Sequence, residues 1–125
     1  FDFFAKGIAH EYAHCFVNPI VESHTDILKN HRAFFQAHKN MPDFYNTDYA
    51  VINEYFVRAF AIGFMEKYNF EGFDICAEYE RQQESFIYID LFVKELKEFE
   101  REKLSFFNYY TANINRILLE AEKNI

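Results

Sequence analysis

Turn-forming residues are scarce along this chain, which contains only three glycines and two prolines among its 125 residues. A sandwich or barrel of many strands needs a larger supply, because Gly and Pro make many of the tight turns between strands. No segment alternates apolar and polar residues with the period of two that is typical of a half-buried strand. The sequence therefore predicts an all-α fold.

Composition narrows both the class of protein and its partners. Hydrophobic residues make up 50% of the chain and aromatic residues 21%, which excludes a disordered protein. A chain of this length can bury roughly two-thirds of its unfolded surface, so residues 1–125 are expected to form one helical domain. The net charge of −7 argues against nucleic acid and anionic membranes as partners. No apolar run reaches the ~18 residues of a membrane span.

The ends and the cysteines leave several questions open. The first residue is Phe1 rather than Met, and no signal peptide is recognisable, so we expect a fragment or a processed product of a longer protein. Compartment and oligomeric state stay open. Cys15 and Cys76 lack CxxC spacing. They could form one disulfide, but two buried free thiols are favoured.

Helix-capping residues and proline predict where the helices of the first part of the chain begin and end. Asp2 is placed to cap a first helix from Phe3 to Val17, which Asn18-Pro19 would end. The reason is that proline disfavours helical geometry at the residue before it and suits the first turn of the next helix. A second helix is expected from Pro19 to His38, with a break allowed at Ser23–Asp26.

The rest of the chain also contains residues that predict helix boundaries and turns. A loop over Asn40–Asp48 is expected to provide Thr47 or Asp48 as the cap of a third helix, from Tyr49 to Tyr68. Residues 69–73, which include Gly72, predict a turn. Three further helices are predicted at Asp74–Arg81, Glu84–Lys103 and Asn108–Glu122, which gives five to six helices in all. Charged residues of the second of these predict a solvated face: Lys94, Glu95, Lys97, Glu98, Glu100, Arg101 and Glu102.

The first predicted helix contains His10-Glu11-Tyr12-Ala13-His14, an HExxH motif. Residues four apart lie one turn apart on the same helix face, so both imidazoles can reach one tetrahedral zinc ion at ~2.0–2.1 Å. Glu11 lies about 100° around the helix from His10, where it can act as general base on a metal-activated water. The alternative is a pair of core histidines on an apolar helix, which would bury polar groups without partners. The motif therefore predicts His10 and His14 as metal ligands.

A catalytic zinc ion needs a third protein ligand and one open position. The metzincin pattern is excluded, because Ile20 stands six residues after His14, where that class has a histidine. Glu54 is the favoured third ligand, because it interrupts the otherwise apolar third helix. The alternative for Glu54 is a simple ion pair with Arg58 at i, i+4 spacing. Competing ligands are His24, His31 and Glu22.

An HExxH motif followed by Asn53-Glu54 on a later helix resembles the gluzincin metallopeptidases, the thermolysin and aminopeptidase type. Residues 10–19, together with Asn53-Glu54 and Arg58-Ala59, resemble more closely a bacterial family of unknown function whose members are suspected zinc peptidases. Residues 84–88 and Tyr109-Tyr110 resemble the C-terminal helical part of that family.

The resemblance implies the helical part of a zincin-like metallopeptidase without its upstream sheet, and suggests an exported bacterial protein. It makes His10, His14 and Glu54 the ligands of Zn²⁺ and Glu11 the base. Two departures from the thermolysin pattern stand out. The interval between His14 and Glu54, positions 15–53, is about twice as long, so an extra helix must be accommodated. Arg58 stands where thermolysin-like enzymes have an aspartate that orients a histidine.

The predicted activity is zinc-dependent hydrolysis of a peptide bond in a peptide or protein substrate. Candidates for stabilising the developing oxyanion are Tyr110, Tyr109, Arg58 and His24. His31 and His38 are expected at the surface. The competing hypothesis is a non-catalytic helical interaction module or an inactive peptidase-like fragment, with an aromatic docking surface. That surface would comprise Phe106, Phe107, Tyr109 and Tyr110.

Overall fold

The computed structural model of the chain describes residues 3–42, 45, 47–70 and 72–125. Within these ranges the regular elements are six α-helices and one 3-10 helix, without a strand. This confirms the predicted all-α class. The elements are α1 (Phe3–Glu22), the 3-10 helix (Asp26–Asn30), α2 (Arg32–Gln36), α3 (Asp48–Lys67), α4 (Phe73–Gln82), α5 (Ile89–Glu102) and α6 (Phe106–Glu122).

Helix α3 is the centre of the fold and packs against α1, α4 and α5, while α6 packs against α1, α2 and α5. It begins at the predicted cap, because Thr47 Oγ1 accepts a hydrogen bond from the Ala50 N–H at 3.3 Å. Its sequence is apolar on nearly all sides, which is typical of a helix enclosed by others. Its buried residues are Val51, Ile52, Asn53, Glu54, Tyr55, Phe56, Val57, Ala59, Ala61, Ile62 and Met65.

Aromatic rings fill the space between α3, α5 and α6. Tyr55 stacks on Phe92 with ring centroids 4.4 Å apart. Phe56 meets both Phe92 and Phe106 edge-on at 5.2 Å. Such pairs contribute ~0.5–1.5 kcal/mol each beyond the area they bury. They hold α3 in place, and with it the polar side chains that this helix carries.

The prediction that Asn18-Pro19 ends the first helix is wrong, because α1 continues through both residues to Glu22. A proline inside a helix costs roughly 3 kcal/mol. Val17 and Val21 have no exposed surface, and their burial offsets that cost at about 1.5–3 kcal/mol each. The predicted cap, Asp2, lies outside the described residues.

The continuous second helix predicted from Pro19 to His38 is also wrong. The chain leaves α1 at Glu22, forms the 3-10 helix and restarts as the short α2. The break allowed at Ser23–Asp26 is therefore present, and a second one follows at His31, whose backbone has φ −122° and ψ 48°. The 3-10 helix and α2 occupy the long interval between the motif and Glu54, where an extra helix was expected.

His31 and His38 are buried, with 1% and 6% of their surface exposed, so their predicted surface placement is wrong. The His31 ring binds Glu122 at 2.5 Å and Asn115 at 2.8 Å, both on α6. The His38 ring binds the hydroxyl of Tyr55 at 2.6 Å. These partners satisfy the imidazoles inside the domain.

The long helix predicted from Glu84 to Lys103 starts late, because α5 begins at Ile89. Ser85 has a φ of 66°, a left-handed conformation that breaks the helical path. The next residue, Phe86, is fully buried, and its N–H donates to the carbonyl of Glu80 at 2.9 Å. Burial of this ring in the core gives a physical reason for the turn.

Glu95 does not lie on a solvated face as predicted, since only 3% of it is exposed. The guanidinium of Arg116 on α6 donates to both of its oxygens, at 2.9 and 2.8 Å, and the Tyr109 hydroxyl donates at 2.5 Å. The Arg116 hydrogen bonds are the main reason why the pKa of Glu95 is lowered. The other charged residues of α5 are exposed or half-buried, as in the Lys97–Glu66 ion pair at 3.3 Å.

The predicted aromatic docking surface does not form. Phe106, Tyr109 and Tyr110 are buried, and of that cluster only Phe107 is exposed.

Both cysteines are free thiols, as favoured, but only Cys76 is buried while Cys15 is exposed. In the part of the chain that the structure describes, no helix has the length and apolar character needed to cross a bilayer.

Candidate metal centre

His10 and His14 lie one turn apart on the side of α1 that faces α3. Their Nε2 atoms are 3.1 Å apart and their ring centroids 4.8 Å apart. Ala13 and Val17, on the same side of the helix, are buried, which fixes this side against the core. The four-residue spacing thus brings both Nε2 atoms to one point.

Glu54 on α3 brings a carboxylate to the same point. Its Oε2 is 3.0 Å from His14 Nε2, and its Oε1 is 3.6 Å from His10 Nε2. Two ligands of a tetrahedral ion with bonds of ~2.0–2.1 Å lie about 3.3 Å apart. The separation of 3.1 Å between the two Nε2 atoms and that of 3.0 Å between Glu54 Oε2 and His14 Nε2 are close to this value. The 3.6 Å separation from His10 belongs to the other carboxylate oxygen, Oε1. Two imidazoles and one carboxylate are also a donor set that catalytic zinc uses.

Asn18 fixes the tautomer of His14. Its Oδ1 lies 3.0 Å from His14 Nδ1, and an amide oxygen can only accept a hydrogen bond. Nδ1 therefore carries a proton, and the neutral ring keeps a lone pair on Nε2, the atom that faces His10 and Glu54. Metal-binding histidines need an outer partner of this kind.

The two carboxylate oxygens of Glu54 have different surroundings. Oε1 lies within reach of the Tyr45 hydroxyl at 3.4 Å and of Arg58 Nη2 at 3.2 Å. Oε2 is buried and accepts no hydrogen bond from the described residues, although His14 Nε2 lies 3.0 Å away. A buried lone pair without a donor costs free energy that a cation would remove. The ion pair with Arg58, the alternative considered for Glu54, is present as well and occupies the other oxygen.

Further charged side chains lie behind Glu54. Arg58 Nη1 is 2.6 Å from Glu80 Oε2, and Lys6 Nζ is 2.5 Å from Glu80 Oε1. Glu80 has no exposed side-chain surface, and the side chains of Lys6 and Arg58 are only 10% and 11% exposed. Charges of alternating sign therefore run from Glu54 through Arg58 and Glu80 to Lys6, which joins α3 and α4 to α1.

Burial and these charges shift the acid–base behaviour of the site. Burial lowers the pKa of His10, against the opposing charge of Glu54, and Arg58 and His14 lower it further. Burial alone would lower the pKa of Arg58, but the carboxylates of Glu80 and Glu54 raise it above its ordinary value. Burial raises the pKa of the Tyr45 hydroxyl, although Arg58 opposes the shift. At neutral pH Tyr45 therefore keeps the proton that it can donate.

An open cleft of about 300 Å³ lies beside the cluster and reaches it at His10. His10 and Glu11 form part of its lining, and the Glu11 side chain is exposed. Glu11 is thus next to a proposed ligand but in contact with water. The other lining residues are Lys6, Gly7, Arg58, Tyr79, Glu80 and Glu84.

Of the four candidates for oxyanion stabilisation, Arg58 is the one that contacts the cluster. Tyr109 instead donates to Glu95, and Tyr110 is fully buried against Phe56 and Phe106. The competing ligands are also elsewhere. His24 binds the carbonyl of Ile20 at 2.9 Å, His31 binds Glu122 and Asn115, and Glu22 is an exposed residue at the end of α1.

Sequence reasoning missed three residues of the site. Asn18 could have been found, because it lies one turn after His14 on the same helix. Tyr45 lies in the loop before α3, and Glu80 lies on α4, 22 positions after Arg58. Neither has a local sequence signal, since only the tertiary packing brings them to Glu54 and Arg58.

Comparison with known proteins places the chain in a family. The family described as "Domain of unknown function (DUF4932)" matches residues 3–115, a range that includes the motif and Glu54. No curated protein matches the chain, and no solved structure matches it. The chain therefore belongs to the DUF4932 family.

Proposed function

We propose that the chain is a zinc-dependent hydrolase that cleaves peptide bonds, with His10, His14 and Glu54 as the zinc ligands. The observation that carries the proposal is the convergence of two Nε2 atoms and one carboxylate at separations of 3.0 to 3.6 Å. The buried Glu54 Oε2, which accepts no hydrogen bond from the described residues, supports it. The HExxH motif and the resemblance to gluzincins support the choice of reaction and of a peptide or protein substrate.

Each residue of the site has a role in this hydrolysis. Zinc, when bound, would supply Lewis acidity, polarising the scissile carbonyl and lowering the pKa of a water molecule toward ~7. Glu11, exposed in the cleft beside His10, accepts the proton of the attacking water and passes it to the leaving amine. Asn18 holds the His14 ring in the tautomer that leaves Nε2 unprotonated.

Replacing the proposed base tests the reaction. Glu11→Gln keeps the size of an exposed side chain, so we expect the fold and the zinc content of the protein to stay unchanged. Hydrolysis of quenched fluorescent casein should fall by a factor of about 10²–10⁴, the usual contribution of a general base. Zinc content is measured by atomic absorption on the same samples.

Glu22→Gln is the matched control, because Glu22 is an exposed glutamate on the same helix but away from the cluster. It should retain the activity of the unaltered protein. Equal activity of the Glu11→Gln and Glu22→Gln proteins would reject Glu11 as the base. Loss of zinc from the Glu11→Gln protein would show instead that Glu11 binds the metal.

One observation favours the second candidate function, a non-catalytic interaction module. Phe4, Ile8 and Tyr12 follow one another at four-residue spacing on α1 and are 78%, 55% and 73% exposed. An exposed apolar stripe of this kind is typical of a surface that contacts another protein segment. If this candidate is right, the purified chain binds zinc or no metal but does not hydrolyse casein or a peptide library.

A further inference from the structure

Glu80 is a buried carboxylate that forms no hydrogen bond or ion pair with the three proposed metal ligands. It lies on α4 and has no exposed side-chain surface. A buried carboxylate is costly unless cations compensate it. Here Arg58 approaches one of its oxygens at 2.6 Å and Lys6 the other at 2.5 Å.

Arg58 connects Glu80 to the metal cluster. While its Nη1 binds Glu80, its Nη2 lies 3.2 Å from Glu54 Oε1 and 2.9 Å from the Tyr45 hydroxyl. The guanidinium also lies over the ring of Phe86, 4.4 Å from the ring centroid. Because the guanidinium is planar and rigid, fixing one of its nitrogens fixes the direction of the other.

The orientation of the Glu54 carboxylate follows from these contacts. Arg58 and Tyr45 both contact Oε1, which leaves Oε2 directed at His14 without a hydrogen bond from the described residues. If Arg58 were free to turn, either oxygen of Glu54 could take the place of the other. Glu80 removes that freedom from a position outside the cluster.

We propose that Glu80 is a positioning residue of the metal site, which acts through Arg58 to present Glu54 Oε2 to the ion. This inference rests on the proposed zinc site. Glu80 has a second, electrostatic effect of the same sign. Its negative charge compensates Arg58 and Lys6, two cations that would otherwise repel a dication bound at Glu54.

The test compares two buried glutamates that each bind an arginine. Glu80→Gln removes the charge next to the metal cluster, and Glu95→Gln removes the matching charge that binds Arg116 between α5 and α6. The dissociation constant for zinc is measured by competition with a chromogenic chelator. The visible spectrum of the Co²⁺-substituted protein reports the coordination geometry, and urea unfolding of the metal-free proteins reports stability.

Both variants should be less stable than the unaltered protein. Only Glu80→Gln should weaken zinc binding, by about 10- to 100-fold as for other outer-shell partners, and change the Co²⁺ spectrum. An unchanged dissociation constant for Glu80→Gln, or equal weakening in both variants, would overturn the inference alone. If the unaltered protein binds no zinc, both the inference and the proposed function fail.

Arg58→Lys and Tyr45→Phe keep the inference testable if Glu80→Gln does not fold. Arg58→Lys keeps the positive charge but loses the rigid fork, and Tyr45→Phe removes only the hydroxyl near Glu54 Oε1. Each of these two variants should raise the dissociation constant for zinc, as Glu80→Gln does. Full zinc affinity in both variants would overturn the positioning role.

Discussion

At the level of single side chains, the fold repeatedly buries a polar group and supplies its partner from a distant element. His31, at the break before α2, binds Glu122 on α6, while Glu95 binds Arg116 and Glu80 binds Arg58 between two helices. Removing one partner of such a pair leaves the other buried without a partner, which costs several kcal/mol. Glu54 Oε2 and Glu80 Oε1 are both buried and accept no hydrogen bond from the described residues. Glu80 Oε1, however, lies 2.5 Å from the ammonium group of Lys6, whereas Glu54 Oε2 lies 3.0 Å from the imidazole of His14. That difference is what a bound cation would explain.

His38 shows how burial without a carboxylate affects stability. Its Nδ1 faces the carbonyl of Phe34 at 2.8 Å, so Nδ1 donates and Nε2 accepts from the Tyr55 hydroxyl at 2.6 Å. Burial lowers the pKa of His38, although the bond to Phe34 opposes the shift. Burial likewise raises the pKa of Tyr55, which keeps the hydroxyl a donor. The folded state therefore favours neutral His38.

The loss of stability caused by His38→Gln should therefore depend on pH. Because the folded-state pKa lies below the unfolded value of 6.5, the contribution of His38 to stability is complete above that pH. It is lost as the pH falls through the folded-state pKa. The variant should be about 1–3 kcal/mol less stable at pH 8, and this difference should shrink at pH 5. Urea unfolding of both proteins at the two pH values measures it. A difference that does not change with pH would contradict the assignment of a neutral imidazole.

At the level of helices, two glycines lie inside helices without a steric reason. A Cβ atom built at Gly7 on α1 or at Gly63 on α3 meets nothing within 4 Å. Glycine within a helix is destabilising by about 0.5–1 kcal/mol relative to alanine. The packing of α1 on α3 therefore does not depend on either residue.

We expect Gly7→Ala and Gly63→Ala each to raise the free energy of unfolding by about 0.5–1 kcal/mol. The two variants serve as controls for each other, because only Gly7 lines the cleft beside His10 and Glu11. A loss of hydrolysis in Gly7→Ala but not in Gly63→Ala would show that substrate passes close to the α1 backbone at Gly7. Destabilisation of either variant would contradict the open space seen at that position.

What the sequence could predict at this level depends on whether the cause is local. The pairing of His10 with His14 and the Thr47 cap follow from helix geometry within a few residues, and both could be read directly. The end of α1 could not, because Val17 and Val21 gain their burial from other helices. The start of α5 could not either, since it depends on the burial of Phe86.

The residues of the candidate site also differ in whether the sequence alone could reveal them. Glu54 was predictable because a carboxylate in the middle of an apolar helix needs a partner. Its outer partners were not, since Tyr45 and Glu80 reach the site only through the packing of the loop before α3 and of α4. The surface prediction for Glu95 was wrong for the same reason, because its partners lie on α6.

At the level of the entire domain, the helices meet so that one side of α1 and the centre of α3 enclose a single cluster of ligand-type atoms. The three residues His10, His14 and Glu54 form the one such group found among the described residues. The core of aromatic rings fixes α3, and the charges from Glu54 to Lys6 tie α4 back to α1. Packing of this kind is what holds the side chains of a preorganised site in place.

Zinc binding by His10, His14 and Glu54 is tested most directly by X-ray diffraction from zinc-soaked crystals, with data collected on both sides of the zinc absorption edge. We expect one strong anomalous peak between α1 and α3, about 2.0–2.1 Å from the Nε2 atoms of His10 and His14 and from an oxygen of Glu54. No peak at that position, with the two imidazoles and the carboxylate turned away from one another, would contradict it.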